Sequence, residues 1–166
     1  MSDSPGRRRV LSALAAGAGA TAAAAAAWPF AAAVVEPLAA PAPVAPWIDV
    51  AAASALGPAA PLKVPLRAPV RDGFFTQLVD LGAVFLLAGP PLVALSAVCP
   101  HLGCGVSATP AGFLCPCHDS RFDRGGAALS GPSPRALDPL PVRVVRGRVE
   151  VQAVRFASGL RERRAL

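Results

Sequence analysis

Two short segments of the chain carry nearly all of the side chains that could bind a metal. The first covers residues 99–104, with the sequence CPHLGC, and the second covers residues 115–120, with the sequence CPCHDS. Together they contain all four cysteines and both histidines of the 166 residues. Thiolates and imidazoles are ligands of zinc and of iron–sulfur clusters. A metal centre shared by the two segments is therefore the first hypothesis.

The arrangement of these residues narrows the chemistry. Zinc fingers place their histidines together, whereas each histidine here stands beside a cysteine. A disulfide-stapled domain spreads its cysteines over the fold, but these four lie within residues 99–117. Iron–sulfur clusters usually have four thiolate ligands, and in one class two histidines replace two cysteines on one iron. A cluster with mixed ligands is the best interpretation, and a structural zinc module that only binds other proteins is the alternative from a different class.

The two segments resemble the cluster-binding loops of Rieske proteins, over about residues 92–145. More narrowly, they resemble the iron–sulfur subunit of quinol–cytochrome c oxidoreductases, the cytochrome bc complexes. The resemblance implies one Rieske-type 2Fe-2S cluster per chain, bound by Cys99, His101, Cys115 and His118. It also implies a disulfide between Cys104 and Cys117 that ties the loops together, a feature of the high-potential branch that ring-hydroxylase ferredoxins usually lack.

The same resemblance assigns roles to neighbouring residues. Ser120 would donate a hydrogen bond to a bridging sulfide and raise the reduction potential. Phe122 stands where mitochondrial-like members usually have a tyrosine, so it can pack but cannot donate a hydroxyl hydrogen bond. Asp119 replaces the commoner glycine and brings a negative charge that disfavours reduction. These two departures predict a lower potential, which favours menaquinol over ubiquinol as the substrate.

Two further features belong to the resemblance. Residues 131–134, with the sequence GPSP, are similar to the loop that covers the cluster from a third side, although an ordinary surface turn remains an alternative. Leu102 would help to form an apolar docking surface around the histidines.

The resemblance implies a proton-coupled function for the two histidine ligands, His101 and His118. A histidine bound to iron through one ring nitrogen can accept a hydrogen bond from a quinol hydroxyl at the other nitrogen. His118 would face the quinol and take its proton. A cytochrome b-type subunit would supply most of the quinone pocket and a c-type cytochrome would accept the electron, so the chain alone would not be catalytic. The alternative within the same superfamily is the small Rieske subunit of a periplasmic arsenite oxidase, which would have a molybdenum-containing partner.

The N-terminal region resembles a twin-arginine export signal. Three arginines at residues 7–9 precede an uncharged, Ala-rich run over residues 10–35 that is long enough to cross a hydrocarbon core of about 30 Å. We expect a retained membrane anchor with the rest of the protein on the extracytoplasmic side, while Ala-x-Ala triplets near residues 25–33 leave cleavage open. Pro29 is expected to kink the helix or to end it near Trp28.

The remaining sequence predicts an all-β domain of small antiparallel sheets with a cluster-binding loop subdomain. Short β-type runs cover residues 62–66, 74–79, 84–87 and 92–98, and residues 142–151 have the pattern of a hairpin. The region from 99 to 134 is expected to be mostly loop. The predicted divisions are therefore a signal or anchor helix (1–35), a Pro/Ala-rich hinge linker (36–46), a Rieske head domain (47–155) and a basic C-terminal tail (156–166).

The net charge of +6 does not indicate nucleic-acid binding. The arginines are scattered, tyrosine is absent, and no basic stripe alternates with aromatic residues that could stack on bases.

Overall fold

A computed structural model describes residues 5–39, 45–72 and 75–166. The chain forms two compact units, Met1–Val44 and Ala45–Leu166. Three parts of the predicted elements lie outside the described residues. They are residues 1–4 at the start of the signal, residues 40–44 in the linker, and Phe74 in one β-type run.

The first unit contains one long helix, α1, from Pro5 to Ala39. Of the two effects expected of Pro29, an end of the helix near Trp28 is excluded, because α1 continues through Pro29, and a kink there stays a prediction. A proline removes one backbone hydrogen bond of a helix, and the long run of alanine, the best helix former, offsets that loss. Within the described residues, the stretch Gly6–Val35 contains an 18-residue window with a mean hydropathy of 1.6, and the stretch is long and apolar enough to cross a membrane by length and composition.

Within the described residues, the regular structure of the second unit is almost entirely β, in eleven strands. They are β1 (Trp47–Ala52), β2 (Leu62–Asp72), β3 (Phe75–Leu87), β4 (Val93–Ser96), β5 (Ser107–Thr109), β6 (Gly112–Cys115), β7 (Ser120–Phe122), β8 (Ala128–Ser130), β9 (Pro139–Leu140), β10 (Val142–Val145) and β11 (Arg148–Gln152). A single turn of 3₁₀ helix, Ala53–Ala55, follows β1. The all-β prediction is confirmed.

The strands form three antiparallel sheets. The orders are β1-β11-β10, β2-β3-β4-β9 and β5-β6-β7-β8. The predicted hairpin over residues 142–151 is present as β10 and β11, with Val145 paired to Arg148. Its turn residues, Arg146 and Gly147, both have positive φ, as two-residue hairpin turns require.

The end of β3 over residues 84–86 is buried on both faces of the second sheet, β2-β3-β4-β9, which explains its continuous apolar run. Along β3, Val84 and Leu86 point into one core with strands β10 and β11, while Phe85 points into a second core with the third sheet. Leu95 on β4 also joins the second core. A strand that is covered on both faces needs apolar side chains at successive positions rather than at alternate ones.

The third sheet lies in the region that was expected to be mostly loop. Its four strands are only three or four residues long and are separated by Gly, Pro and Cys-containing turns, so they show no extended alternating pattern. Pairing between neighbouring short strands, which a one-dimensional pattern does not contain, stabilises them.

Two leucines on β3 give a matched test of this layered core. Leu86 is 1% exposed and Leu78 is 65% exposed. We expect Leu86→Ala to lower the free energy of unfolding by about 2–5 kcal/mol, and Leu78→Ala by less than about 0.5 kcal/mol. Urea denaturation of the full chain in detergent, followed by circular dichroism, measures both values. Equal effects of the two substitutions would contradict the described packing of β3.

Candidate metal centre

The first loop, residues 99–104, is closed by backbone hydrogen bonds at its base. Cys99 donates its N–H to the carbonyl of Cys104 over 2.8 Å, and Gly103 donates to the carbonyl of Cys99 over 2.9 Å. A bridge between Val98 and Gly105 continues the pairing below the loop. The loop is thus a tight turn at the end of a β-ladder, which fixes the direction of its side chains.

The second loop, residues 116–119, connects β6 to β7. Cys115 and Ser120 pair directly across the base of this hairpin. Asp119 has a φ of 53°, in the left-handed region that glycine adopts most easily. This backbone requirement explains why glycine is the commoner residue at this position and why aspartate, which tolerates the region better than most residues, can replace it.

A disulfide between Cys104 and Cys117 joins the two loops. The Cα atoms are 6.6 Å apart, within the range for disulfides, and the bond spans 13 residues of sequence. This is the pair that the resemblance to Rieske proteins implies. The bond fixes the two turns against each other at their outer ends.

The two other cysteines are free and buried. Cys99 and Cys115 are each 1% exposed and belong to the same apolar core as Phe113 and Phe122. The pKa of the Cys99 thiol is raised above its ordinary value, mainly by burial and also by the neighbouring Cys115 thiol. The backbone N–H of His101 and the hydroxyl of Ser120 lower this pKa, but by less than burial raises it. Two neighbouring thiols in an apolar core form an environment suited to metal-bound thiolates.

The two histidines lie beside each other at the outer side of the same site. The ring centroids of His101 and His118 are 4.8 Å apart, with the rings nearly perpendicular. His118 is exposed and His101 is half-buried. Among the described residues, Nδ1 of His101 is the one buried side-chain nitrogen or oxygen without a hydrogen-bond partner.

An orphaned buried ring nitrogen is costly unless a ligand uses it, so Nδ1 of His101 is a position where a metal bond fits. The donor set of two buried thiols and two neighbouring imidazoles matches a 2Fe-2S cluster with mixed ligands. The sulfur atoms of Cys104, Cys115 and Cys117 also lie within 4.8 Å of one another. That trio is not itself a metal site, because Cys104 and Cys117 are bonded to each other and offer no thiolate.

A third loop, residues 131–134, packs on the second. Ser120 is fully buried, and its Oγ accepts a hydrogen bond of 3.2 Å from the backbone N–H of Ser133. Gly131 has a φ of 89°, and a Cβ added there would lie 2.6 Å from the Cα of Ser120. The close approach of these two backbones therefore depends on glycine, and residues 131–134 are more than an ordinary surface turn.

Phe122 and Asp119, which were both expected to lower the reduction potential, have different environments in the structure. Phe122 is 1% exposed and packs in the core beside the thiols. Asp119, in contrast, is exposed, and its Oδ1 lies 2.9 Å from Nη2 of Arg121. Sequence reasoning missed Arg121, although its spacing of two from Asp119 at the start of a strand is a signal for such a pair. Because the positive charge offsets the negative one, we expect Asp119 to affect the potential less than Phe122.

Ser120→Ala tests the hydrogen bonding at Cys99. The holoprotein variant should have a midpoint potential lower by tens of millivolts, since it loses a donor that stabilises the more negative reduced state. About 60 mV corresponds to 1.4 kcal/mol for one electron. Ser107→Ala is the control and should keep the wild-type midpoint, because Ser107 is exposed on β5, outside both cluster loops. Redox titration followed by EPR measures both, and a wild-type midpoint for Ser120→Ala would contradict this role.

Comparison with known proteins identifies similar chains. The cytochrome b6-f complex iron-sulfur subunit of Chlorobaculum tepidum is 31% identical over 147 residues, which cover 87% of this chain and 74% of the relative. The carotenoid phi-ring synthase of the same organism is 39% identical over 84 residues, which are 48% of this chain but only 13% of the synthase. Among solved structures, the cyanobacterial plasma membrane Rieske protein PetC3 from Synechocystis PCC 6803 matches with 24% identity and a TM-score of 0.41, over 54% of this chain and 85% of that chain.

The family model described as "Rieske [2Fe-2S] domain" matches residues 47–145, well over half of the chain. That range contains both loops, the disulfide and the third loop. The chain therefore belongs to the Rieske family of iron–sulfur electron-transfer proteins, and its cofactor is a 2Fe-2S cluster.

Proposed function

We propose that this chain is the electron-transfer subunit of a membrane-bound quinol–cytochrome c oxidoreductase. The single observation that carries the proposal is the contact between the rings of His101 and His118, with His118 exposed, in the same two segments that hold two buried thiols. The similarity to a cytochrome b6-f iron-sulfur subunit over most of both chains supports it, and favours it over the small subunit of an arsenite oxidase. When bound, the cluster supplies a one-electron acceptor.

The proposed ligands follow from the burial of the donors. Cys99 and Cys115 would hold the inner iron, where the apolar core excludes water from the thiolates. His101, through its buried Nδ1, and His118 would hold the outer iron. Since an imidazole has two nitrogens, each histidine keeps one nitrogen free to face outward.

The proton-handling role belongs to the more exposed histidine. The free ring nitrogen of His118 would accept a hydrogen bond from a quinol hydroxyl and hold its proton as the electron leaves the quinol. Exposure of the His118 side chain lets a substrate approach this nitrogen. The rest of the quinone pocket would belong to a cytochrome b-type partner, and a c-type cytochrome would receive the electron.

An apolar contact beside the histidines would guide docking to that pocket. Leu102 is 64% exposed at the tip of the first loop, directly after His101. A leucine held outward on a tight turn gains little in the isolated chain, and it gains by burial when a partner surface covers it.

The N-terminal unit would attach the head to the membrane. The apolar stretch Gly6–Val35 would serve as the anchor, with the arginines at residues 7–9 acting as a twin-arginine export signal. Export by that route would bring the head, folded with its cluster, to the extracytoplasmic side. The Pro/Ala-rich residues 36–46, which are helical as far as Ala39, would provide the hinge.

Menaquinol is the quinol that the site favours. Phe122 fills the position beside the thiols and has no hydroxyl to donate, so one source of a raised potential is missing. A lower-potential cluster suits a lower-potential quinol. The paired charge of Asp119 adds little to this argument.

The proposal is tested by quinol-dependent reduction of the cluster in native membranes. Leu102→Glu should slow reduction by an added quinol by at least about tenfold, because burying a carboxylate against an apolar partner costs more than about 1.4 kcal/mol. Leu129→Glu is the matched control, since Leu129 is 65% exposed and lies on β8 outside both cluster loops. Rapid-freeze EPR measures the rate, and the EPR spectrum and midpoint of both variants should match those of the wild type.

Two results would count against the proposal. Equal rates for the two variants would remove Leu102 from the docking surface. Reduction of the cluster in wild-type membranes by arsenite and not by menaquinol or ubiquinol analogues would replace the quinol function with the arsenite one.

A further inference from the structure

The C-terminal residues 155–166 fold back against the first cluster loop. Phe156 and Ala165 form an antiparallel bridge, Ala157 donates its N–H to the carbonyl of Arg164, and Leu166 donates to the carbonyl of Arg155. We call this segment the terminal hairpin. At its turn, Gly159 donates a backbone hydrogen bond of 2.8 Å to the carbonyl of Pro100, which lies between Cys99 and His101.

A buried arginine holds the terminal hairpin in this position. Arg135 is 9% exposed, and its guanidinium donates to the carbonyls of Ala157 and Leu160 in the hairpin. Nε and Nη2 of the same side chain bond to the two carboxylate oxygens of Asp138, each over 2.8 Å. The carboxylate of Asp138 raises the pKa of Arg135, so the guanidinium stays charged.

Arg135 also follows directly on the third loop, which contacts the second. Ser133 accordingly bonds in both directions: its Oγ donates to the carbonyl of Arg135 over 2.9 Å, and its N–H donates to Oγ of Ser120. A continuous path therefore runs from Pro100 in the first loop through Gly159 and Arg135 to Ser133 and Ser120 in the second.

The first loop and the terminal hairpin both border a cavity of about 440 Å³, whose lining includes Pro100, Gly103, Phe156 and Leu166. The backbone hydrogen bond from Gly159 to Pro100 joins the two segments beside this cavity.

We propose that Arg135 is a positioning residue for the cluster, and that it and the terminal hairpin form a second, non-covalent brace between the two cluster loops. The disulfide between Cys104 and Cys117 is the first brace, on the outer side. The proposal concerns retention and geometry of the cluster that the family binds, and it does not depend on the identity of the electron donor.

The test compares the rate at which the purified full-length holoprotein loses its cluster to an iron chelator. Arg135→Lys keeps the positive charge beside Asp138 but lacks the planar fork that reaches two carbonyls as well. We expect cluster loss about tenfold faster, the change for one or two lost charge-assisted hydrogen bonds. Arg148→Lys is the matched control. The Arg148 guanidinium also donates to both oxygens of one carboxylate, that of Asp49, but Arg148 lies on β11, so this variant should lose its cluster at the wild-type rate.

Two further readouts separate bracing from general stability. The EPR g-values of the reduced cluster should shift in Arg135→Lys and stay unchanged in Leu86→Ala, which weakens the fold without touching the brace. In cluster-free protein, amide hydrogen exchange at residues 157–160 should speed up in Arg135→Lys alone. A variant that removes residues 157–166 provides the same test if Arg135→Lys does not fold, because it leaves the pair of Arg135 and Asp138 intact.

The disulfide gives a further check on the double brace. When Cys104 and Cys117 are both replaced by serine, Arg135→Lys should accelerate cluster loss by a larger factor than it does in the wild type, because neither brace then remains. The proposal is overturned if Arg135→Lys and the truncated variant both keep the wild-type rate and g-values. It is overturned equally if Arg135→Lys loses its cluster no faster than Leu86→Ala does for the same decrease in the free energy of unfolding.

Discussion

The structure of this protein depends on one constraint: the four proposed cluster ligands are divided between two loops that are separated in sequence. Each loop would contribute one thiol and one imidazole, so neither loop would hold a cluster alone. The antiparallel pairing of Cys115 with Ser120 and the backbone bonds that close residues 99–104 set each half. The disulfide sets the halves against each other. The sheets support this arrangement, since the sheet β2-β3-β4-β9 shares an apolar core with the sheet β5-β6-β7-β8, which leads into the second loop.

The burial of the donors then separates two kinds of chemistry. The thiols lie in an apolar core, where thiolates are stable only when they are bound to a metal and accept hydrogen bonds from groups such as Ser120. The imidazoles lie farther out, with their rings in contact, His118 exposed and His101 half-buried. If all four side chains bind the cluster as proposed, an electron acceptor shielded from water and a proton acceptor open to it are held within one site. This division supports the proposal of proton-coupled electron transfer.

The sequence predicted the chemistry more completely than it predicted the architecture. The hairpin at residues 142–151 is a local pattern, whereas the disulfide partners were implied by the resemblance to Rieske proteins, and both are found where they were expected. The strands β5 to β8 were missed because each is too short to show a period of two. The possible helix end near Trp28 is not found. A proline is a strong signal for a helix end in a sequence, whereas in the folded helix Pro29 costs only one hydrogen bond. The ion pairs of Asp119 with Arg121 and of Arg135 with Asp138 are local in sequence. The hydrogen bonds from Arg135 to the carbonyls of Ala157 and Leu160 span more than twenty residues, so only the three-dimensional structure shows them.

The central claim is that both histidines are ligands of the cluster, and the composition of the chain allows a direct measurement. The chain has only two histidines, so labelling with ¹⁵N-histidine marks the two proposed nitrogen ligands and no other residue. Pulsed EPR of the reduced, labelled holoprotein should detect two strongly coupled ¹⁵N nuclei, one from His101 and one from His118. A 2Fe-2S signal with one such coupling, or with none, would contradict the proposed site.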